Sequence, residues 1–160
     1  SRHEQIVINE LSKKDIESYC PMFKERRQWS DRKKWVQFPL FRSYVFARIH
    51  LKENIFVLQT IGVNKIVKFQ NEISIIPNQV INDIKNIVDG GYNIQQVDYF
   101  IKGYAVRVVS GPLKGINGII QDLKGDSRLI MKVEAIRQAF SIEISSEQLK
   151  LKKKNVSKIL

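Results

Sequence analysis

The side chains best able to do chemistry in this chain are few and scattered. There are two histidines, His3 and His50, and one cysteine, Cys20. Neither histidine has Cys, His or Asp partners at the spacing that a metal site requires. No Gly-x-Ser-x-Gly, P-loop or dinucleotide fingerprint is present. The string GPLKG (Gly111–Gly115) joins glycine to lysine but lacks the Gly-Lys-Ser/Thr ending that cradles a nucleotide. Cys20, between Tyr19 and Pro21, reads as a core thiol. A single cysteine forms no internal disulfide, which favours a reducing compartment such as the cytoplasm. The expectation is a protein that is not an enzyme and takes no cofactor or metal.

Charge is the more informative chemistry. The net charge of +11 is uneven: +4 falls in residues 1–100 and +7 in residues 101–160. The densest cluster, KERRQWSDRKKW (Lys24–Trp35), has 6 basic and 2 acidic residues. Cations at this density attract phosphates by a long-range, salt-sensitive force, and an interleaved tryptophan can stack on a base. The alternative is a solvated loop that only keeps the chain soluble.

The elements that position these residues follow from periodicity. A chain of 160 residues fits one domain or two small ones. No apolar run approaches the ~18–20 residues of a transmembrane helix, so no membrane association is expected. The opening SRHEQIVINE has no apolar signal core and no initiator Met, so the chain is expected to begin inside the native protein. Glu4–Lys14 reads as an amphipathic helix with Val7, Ile8 and Leu11 on one face, broken at Asp15. Ile16–Met22 reads as a short strand, and the basic segment after it as an extended hairpin or loop. Trp35–Ile49 and Gly62–Gln70 read as strands. Asn78–Gly91 has helix punctuation at both ends, Pro77-Asn78 before it and Gly90-Gly91 after it. From Gly103 onward, short strands separated by turns suggest a small barrel. The division is therefore a first domain over residues 1–91, a linker over 92–102, a barrel over 103–152 and a basic tail over 153–160.

Within VVSGPLKGINGII (Val108–Ile120), Gly111, Pro112 and Gly115 read as a tight turn. Gly118 sits inside a strand pattern, which marks a bulge or a corner. Taken together, GYAVRVVSGPLKGINGII (Gly103–Ile120) resembles a KOW motif, the strand–turn–strand unit that opens an SH3-like barrel. Gly111, Lys114, Gly115 and Gly118 carry that resemblance. Upstream, PLFRSYVFARI (Pro39–Ile49), QTIGVNKIVKF (Gln59–Phe69) and IIPNQVINDI (Ile75–Ile84) resemble the amino-terminal domain of the NusG family of transcription elongation factors. The placing of RQWSDRKKW before PLF is similar to that in RfaH-like and UpxY-like antiterminators of capsule and exopolysaccharide operons. The implied fold is α+β, a NusG-type α/β sandwich followed by a KOW barrel. Two departures stand out. The sheet is expected to lack the strand that relatives place before the first helix, and many relatives have Pro-Gly where this chain has Arg42-Ser43.

The resemblance implies a monomer that binds the β′ clamp helices of RNA polymerase through Pro39, Phe41, Tyr44 and Phe46. Strand alternation places Phe41 opposite to Tyr44 and Phe46, so one of these is expected to be core. Bridging to the β gate loop would hold the clamp closed and suppress pausing or termination. Contact with the non-template DNA strand would fall to Arg2, Arg26, Arg27, Trp29, Arg32, Lys33 and Lys34. Relatives of the RfaH type carry an arginine where this chain has Ile61. In housekeeping relatives a barrel loop docks ribosomal protein S10 or Rho, and Ile136 occupies that tip here. Helical spacing at Leu129, Val133, Ile136 and Phe140 competes there with strand alternation at Met131, Val133 and Ala135, so a helix-to-barrel switch is one expectation and a fixed barrel the other. The rival functions are an RNA-binding module of ribosomal type and an adaptor that binds only the ribosome.

Overall fold

The computed structural model describes residues 2–28, 33–121 and 126–152. The chain forms two compact units, Ser1–Asn78 and Gln79–Leu160. That division falls earlier than the expected end of the first domain at residue 91.

In the first unit, helix α1 spans Arg2–Ser12 and buries Val7 and Leu11. It stops where Asp15 takes φ 56°, and the Ile16 N–H turns back to donate to the Leu11 carbonyl at 3.1 Å. This is the left-handed C-terminal closure that leaves an apolar residue packing beneath the last turn. Val7 and Leu11 join Val57 to form a small core, covered by Ile16, Val45, Ile49, Val63 and Ile66.

Strand β1 (Glu17–Tyr19) pairs antiparallel with β4 (Phe46–Arg48), Tyr19 lying opposite Phe46. Between them, β2 (Met22–Gln28) and β3 (Lys33–Pro39) form an antiparallel hairpin running from Met22↔Pro39 to Gln28↔Lys33. The expected strand Trp35–Ile49 is therefore two strands. Leu40 and Phe41 turn into the core, and Ser43 adopts φ 67° between them and β4. A short helix α2 (Asn54–Leu58) follows. The expected strand over residues 62–70 contracts to β5 (Lys68–Phe69), paired with β6 (Glu72–Ile73). Gln70 and Asn71 both have positive φ, the geometry of a two-residue hairpin turn matched to strand twist.

The second unit opens with helix α3 (Asn78–Asp89), which buries Ile84 and Ile87 and ends before Gly90-Gly91, as its sequence punctuation predicts. Six strands then form one antiparallel sheet. They are β7 (Ile94–Val97), β8 (Tyr104–Val108), β9 (Asn117–Ile120), β10 (Asp126–Val133), β11 (Gln138–Ser145) and β12 (Leu149–Leu151), in the order β12-β8-β9-β10-β11-β7. The expected linker thus contains β7, paired along β11 with Ile94 opposite Ile142 and buried. Alternate residues Leu129, Met131 and Val133 of β10, and Phe140, Ile142 and Ile144 of β11, are buried. Ile130, Ala139 and Ser141 are buried as well, so both faces of this strand pair are covered at its centre, and the ladder from Asp126↔Ser145 to Val133↔Gln138 makes the segment β and not helical.

The turn between β8 and β9 explains the glycines. Gly115 has φ 98° while its N–H donates to the Val108 carbonyl at 2.8 Å. Gly118 has a different reason. A β-carbon there would meet the Ile130 carbonyl oxygen at 2.6 Å and Leu129 Cδ1 at 2.7 Å. The backbones of β9 and β10 approach through the space where that carbon would sit. Gly118→Ala should therefore cost about 1–3 kcal/mol through overpacking, measured by urea denaturation. Wild-type stability in that variant would place the close approach elsewhere.

Candidate functional site

The aromatic residues singled out in the sequence converge on the turn from β3 to β4. Pro39 and Phe41 are buried, Phe41 to 1% exposure. Tyr44, Phe46 and Tyr19 are half-buried. Phe41 meets Phe46 edge-on, with ring centroids 6.0 Å apart, and Tyr19 stacks beside Phe46 at 6.5 Å. Phe41 is thus the floor of the cluster and not part of an exposed surface. The chain turns inward at Leu40-Phe41, so alternation along one strand does not decide its direction.

The turn is held by a charge. Glu4 on α1 is 5% exposed, and its Oε1 accepts the Ser43 N–H at 2.7 Å. Ser43 occupies the left-handed region, which costs a residue with a side chain roughly 1–2 kcal/mol. A charge-assisted hydrogen bond from a buried carboxylate offsets this. The result fixes Tyr44 beside the turn, where its own N–H donates to the Phe41 carbonyl at 3.3 Å.

A second apolar surface has no counterpart in the sequence analysis. Leu51, Ile55, Phe56, Leu58 and Ile61 are all exposed. The helix that carries three of them is anchored by Lys14, whose Nζ donates to the Phe56 carbonyl and to Thr60 Oγ1, both at 2.9 Å. Four consecutive apolar residues, Ile55–Leu58, in a five-residue helix are the signal that was available. A helix that short buries one face, and here only Val57 is on it.

The basic hairpin is polarised. Lys24, Arg26, Gln28, Lys33, Trp35 and Gln37 are exposed, whereas Phe23, Val36 and Phe38 are half-buried. The Phe23 and Phe38 rings lie 6.3 Å apart. An open depression of about 590 Å³ is lined by Lys24, Lys34, Trp35, Val36 and Gln37. Trp29 and Arg32 lie outside the described residues, as do the side chains of Arg2 and Arg27.

In the second unit, Ile136 is 7% exposed inside the short turn Glu134–Ile136, so it is packing and not an exposed docking tip. The left-handed Arg137 that follows folds the turn back and carries Ile136 inward. What surrounds this tip is polar and aromatic. The Tyr99 hydroxyl donates to Glu134, Lys132 Nζ sits 5.1 Å above the Tyr99 ring, and Phe100 meets Tyr99 edge-on at 5.4 Å. Lys114, at the β8–β9 turn, is exposed.

Cys20 is buried, with Sγ 3.9 Å from Met22 Sδ. Burial first, and the Glu4 charge second, push its thiol up to about 11. At neutral pH it is a protonated core group and no nucleophile.

A profile of the family described as "Transcription termination factor nusG" matches residues 1–85. No curated protein matches the chain.

Two outcomes follow from this geometry. Phe41→Ala should lower stability by about 3–5 kcal/mol, whereas Tyr44→Ala, at the half-buried rim, should cost about 1 kcal/mol, both read from thermal or urea denaturation. Equal losses would make Tyr44 core as well. Cys20 ionises at about 9.0 unfolded and about 11 folded, so its contribution to stability is lost as pH rises across that window. The stability difference between wild type and Cys20→Val should therefore shift against the wild type between pH 8.5 and 11, and a flat difference would refute a raised thiol.

Proposed function

Since this chain belongs to the NusG family, a family of transcription termination and elongation factors that bind RNA polymerase, we propose that it is an elongation and antitermination factor acting at the β′ clamp helices. The observation that carries this reading is the aromatic turn. Half-buried Phe46 packs edge-on against buried Phe41 and is braced by Tyr19, and half-buried Tyr44 stands beside the turn that the Glu4–Ser43 hydrogen bond fixes. Rigid aromatic anchors with a desolvated base are the residues that carry most interface energy. Pro39 and Phe41 shape the surface from beneath, and Tyr44 and Phe46 make the contact.

The exposed row Leu51, Ile55, Phe56, Leu58 and Ile61 supplies a second apolar surface. It supports a bridging role, with this surface toward the β gate loop and the clamp held closed. No bond is made or broken by the factor. The nucleic-acid contact, on the exposed non-template strand in the cytoplasmic transcription complex, falls to the basic hairpin, where Arg26, Lys33 and Lys34 are the expected cations whose side chains are described and Lys24 stands beside them. The strands of the second unit from residue 103 to 152 are read as the KOW barrel, with Gly111, Lys114 and Gly115 in its turn and Gly118 in the strand that follows. Any docking of ribosomal protein S10 or Rho there would use Tyr99 and Phe100 in place of the buried Ile136. The specialised role on long capsule or exopolysaccharide operons rests on the resemblance of the segment before Pro39 to that of RfaH-like and UpxY-like factors.

A second reading has one observation in its favour. Lys150 of β12 lies directly opposite Arg107 of β8, and both are exposed. Facing cations across a strand pair repel, and a polyanion relieves that repulsion. That favours a KOW-type RNA-binding or ribosome-associated module.

Salt separates the two. The protein should bind an isolated β′ clamp-helix fragment with an affinity that changes little between low and moderate salt. Tyr44→Ala should weaken that binding by about 2 kcal/mol, roughly thirtyfold. No binding to the fragment, with steeply salt-sensitive retention on RNA, would replace the polymerase reading with the ribosomal one.

A further inference from the structure

The hairpin β2–β3 has two unlike faces, and the unlikeness follows from its register. Side chains alternate along a strand, and directly opposed residues share a face. The pairs Lys24↔Gln37, Arg26↔Trp35 and Gln28↔Lys33 therefore lie on one face, and Phe23↔Phe38 and Glu25↔Val36 on the other. The second face carries the half-buried Phe23, Val36 and Phe38, whose two rings lie 6.3 Å apart, with exposed Glu25 and Lys34 farther along. The first is exposed from Lys24↔Gln37 to Gln28↔Lys33 and ends at its base on half-buried Met22 and buried Pro39.

At the centre of the exposed face stands Trp35, 63% exposed. An indole so placed contributes little to folding, since most of its apolar area stays in water. Around it are Arg26 directly across, Lys24 and Gln28 on the diagonals, and Lys33 and Gln37 on either side along its own strand. Lys24, Arg26 and Lys33 form no ion pair among the described residues. Successive side chains on one face of a strand are about 6.7 Å apart, a spacing on which an extended polynucleotide can lay successive phosphates. One flat ring centred among unpaired cations offers a base its π-face while the cations hold the backbone on both sides. An acidic peptide would use the cations and leave the indole idle. A duplex would too, because its base faces are already stacked on one another.

We propose that Trp35 is a base-stacking platform for an unpaired polynucleotide, with Lys24, Arg26 and Lys33 holding the phosphates on the same face of the hairpin. The ring accepts any base, so the site selects single-strandedness and not sequence. This assigns the contact to a residue and a ligand state within the nucleic-acid part of the reading above, on which it rests. It is tested on the isolated protein, so loss of strand binding and loss of clamp-helix binding are separate results.

The test uses Trp29→Phe protein, in which Trp35 is the sole tryptophan and is excited selectively over tyrosine, titrated with twelve-nucleotide oligo-dT, oligo-rU and a duplex of equal length. Binding is followed in parallel by anisotropy of labelled oligonucleotides with the wild-type chain, which does not depend on that variant folding. At least one unpaired strand should quench Trp35 and bind about tenfold or more tightly than the duplex. Which of the two strands does so identifies the sugar. Trp35→Ala should weaken that binding about tenfold, and Trp35→Phe should retain most of it. Arg26→Gln should make the log–log salt slope shallower by about 0.7, one phosphate contact on a single strand. Absence of quenching, equal binding of duplex, or unchanged affinity in Trp35→Ala with its circular dichroism intact would each overturn the assignment.

Discussion

One hydrogen bond organises the half of the first unit that carries the proposed contact: the buried Glu4 carboxylate accepting the Ser43 N–H at 2.7 Å. Taking a carboxylate out of water is expensive, and accepting the Ser43 N–H at Oε1 offsets part of that cost once α1 docks. What it secures is a backbone conformation that serine resists. With Ser43 held at φ 67°, the chain leaves β3, buries Leu40 and Phe41, and re-emerges to pair β4 with β1. Phe46 then packs edge-on against Phe41, with Tyr44 held beside it by its N–H to the Phe41 carbonyl, as an aromatic ledge. Glycine in this position would need no such partner. Serine makes the turn depend on α1, and ties the surface of the aromatic ledge to the folding of a helix 39 residues away in the chain.

Rigid ledge and polarised hairpin share a logic. Each has an apolar side that binds it to the fold and an aromatic side that the fold does not require. In the ledge the division runs between Phe41 and Tyr44, and in the hairpin between Phe23–Phe38 and Trp35. A two-stranded hairpin alone is marginal in water, so its inner face must supply the anchorage that frees the outer one. The exposed residues of α2 follow the same rule, with Val57 inside and Ile55, Phe56 and Leu58 out. In the second unit β10 and β11 bury residues on both faces at their centre, Ile130 and Ala139 as well as Leu129 and Ile142.

The sequence made α3 legible because its boundaries are written locally, Pro77-Asn78 at one end and Gly90-Gly91 at the other. The glycine turn of the second unit was legible for the same reason, whereas the basic segment read equally as hairpin or loop. The break inside Trp35–Ile49 was not. Its aromatic and β-branched composition is continuous, and the residue that forces the turn, Glu4, is far away in sequence. Strand β7 is too short to display a period, and only pairing with β11 reveals it. Ile136 was misplaced because an apolar residue at a loop tip looks exposed until the left-handed Arg137 turns it inward. Local punctuation was readable; contacts that join distant segments were not.

The most direct test of the central claim replaces Tyr44 with a photo-crosslinking phenylalanine analogue and irradiates the protein bound in a reconstituted transcription elongation complex. Mass spectrometry then identifies the crosslinked peptide. The account predicts adducts on the clamp helices of β′, lost when Glu4→Ala releases the turn. Adducts confined to RNA or to ribosomal protein, with β′ unmodified, would contradict it.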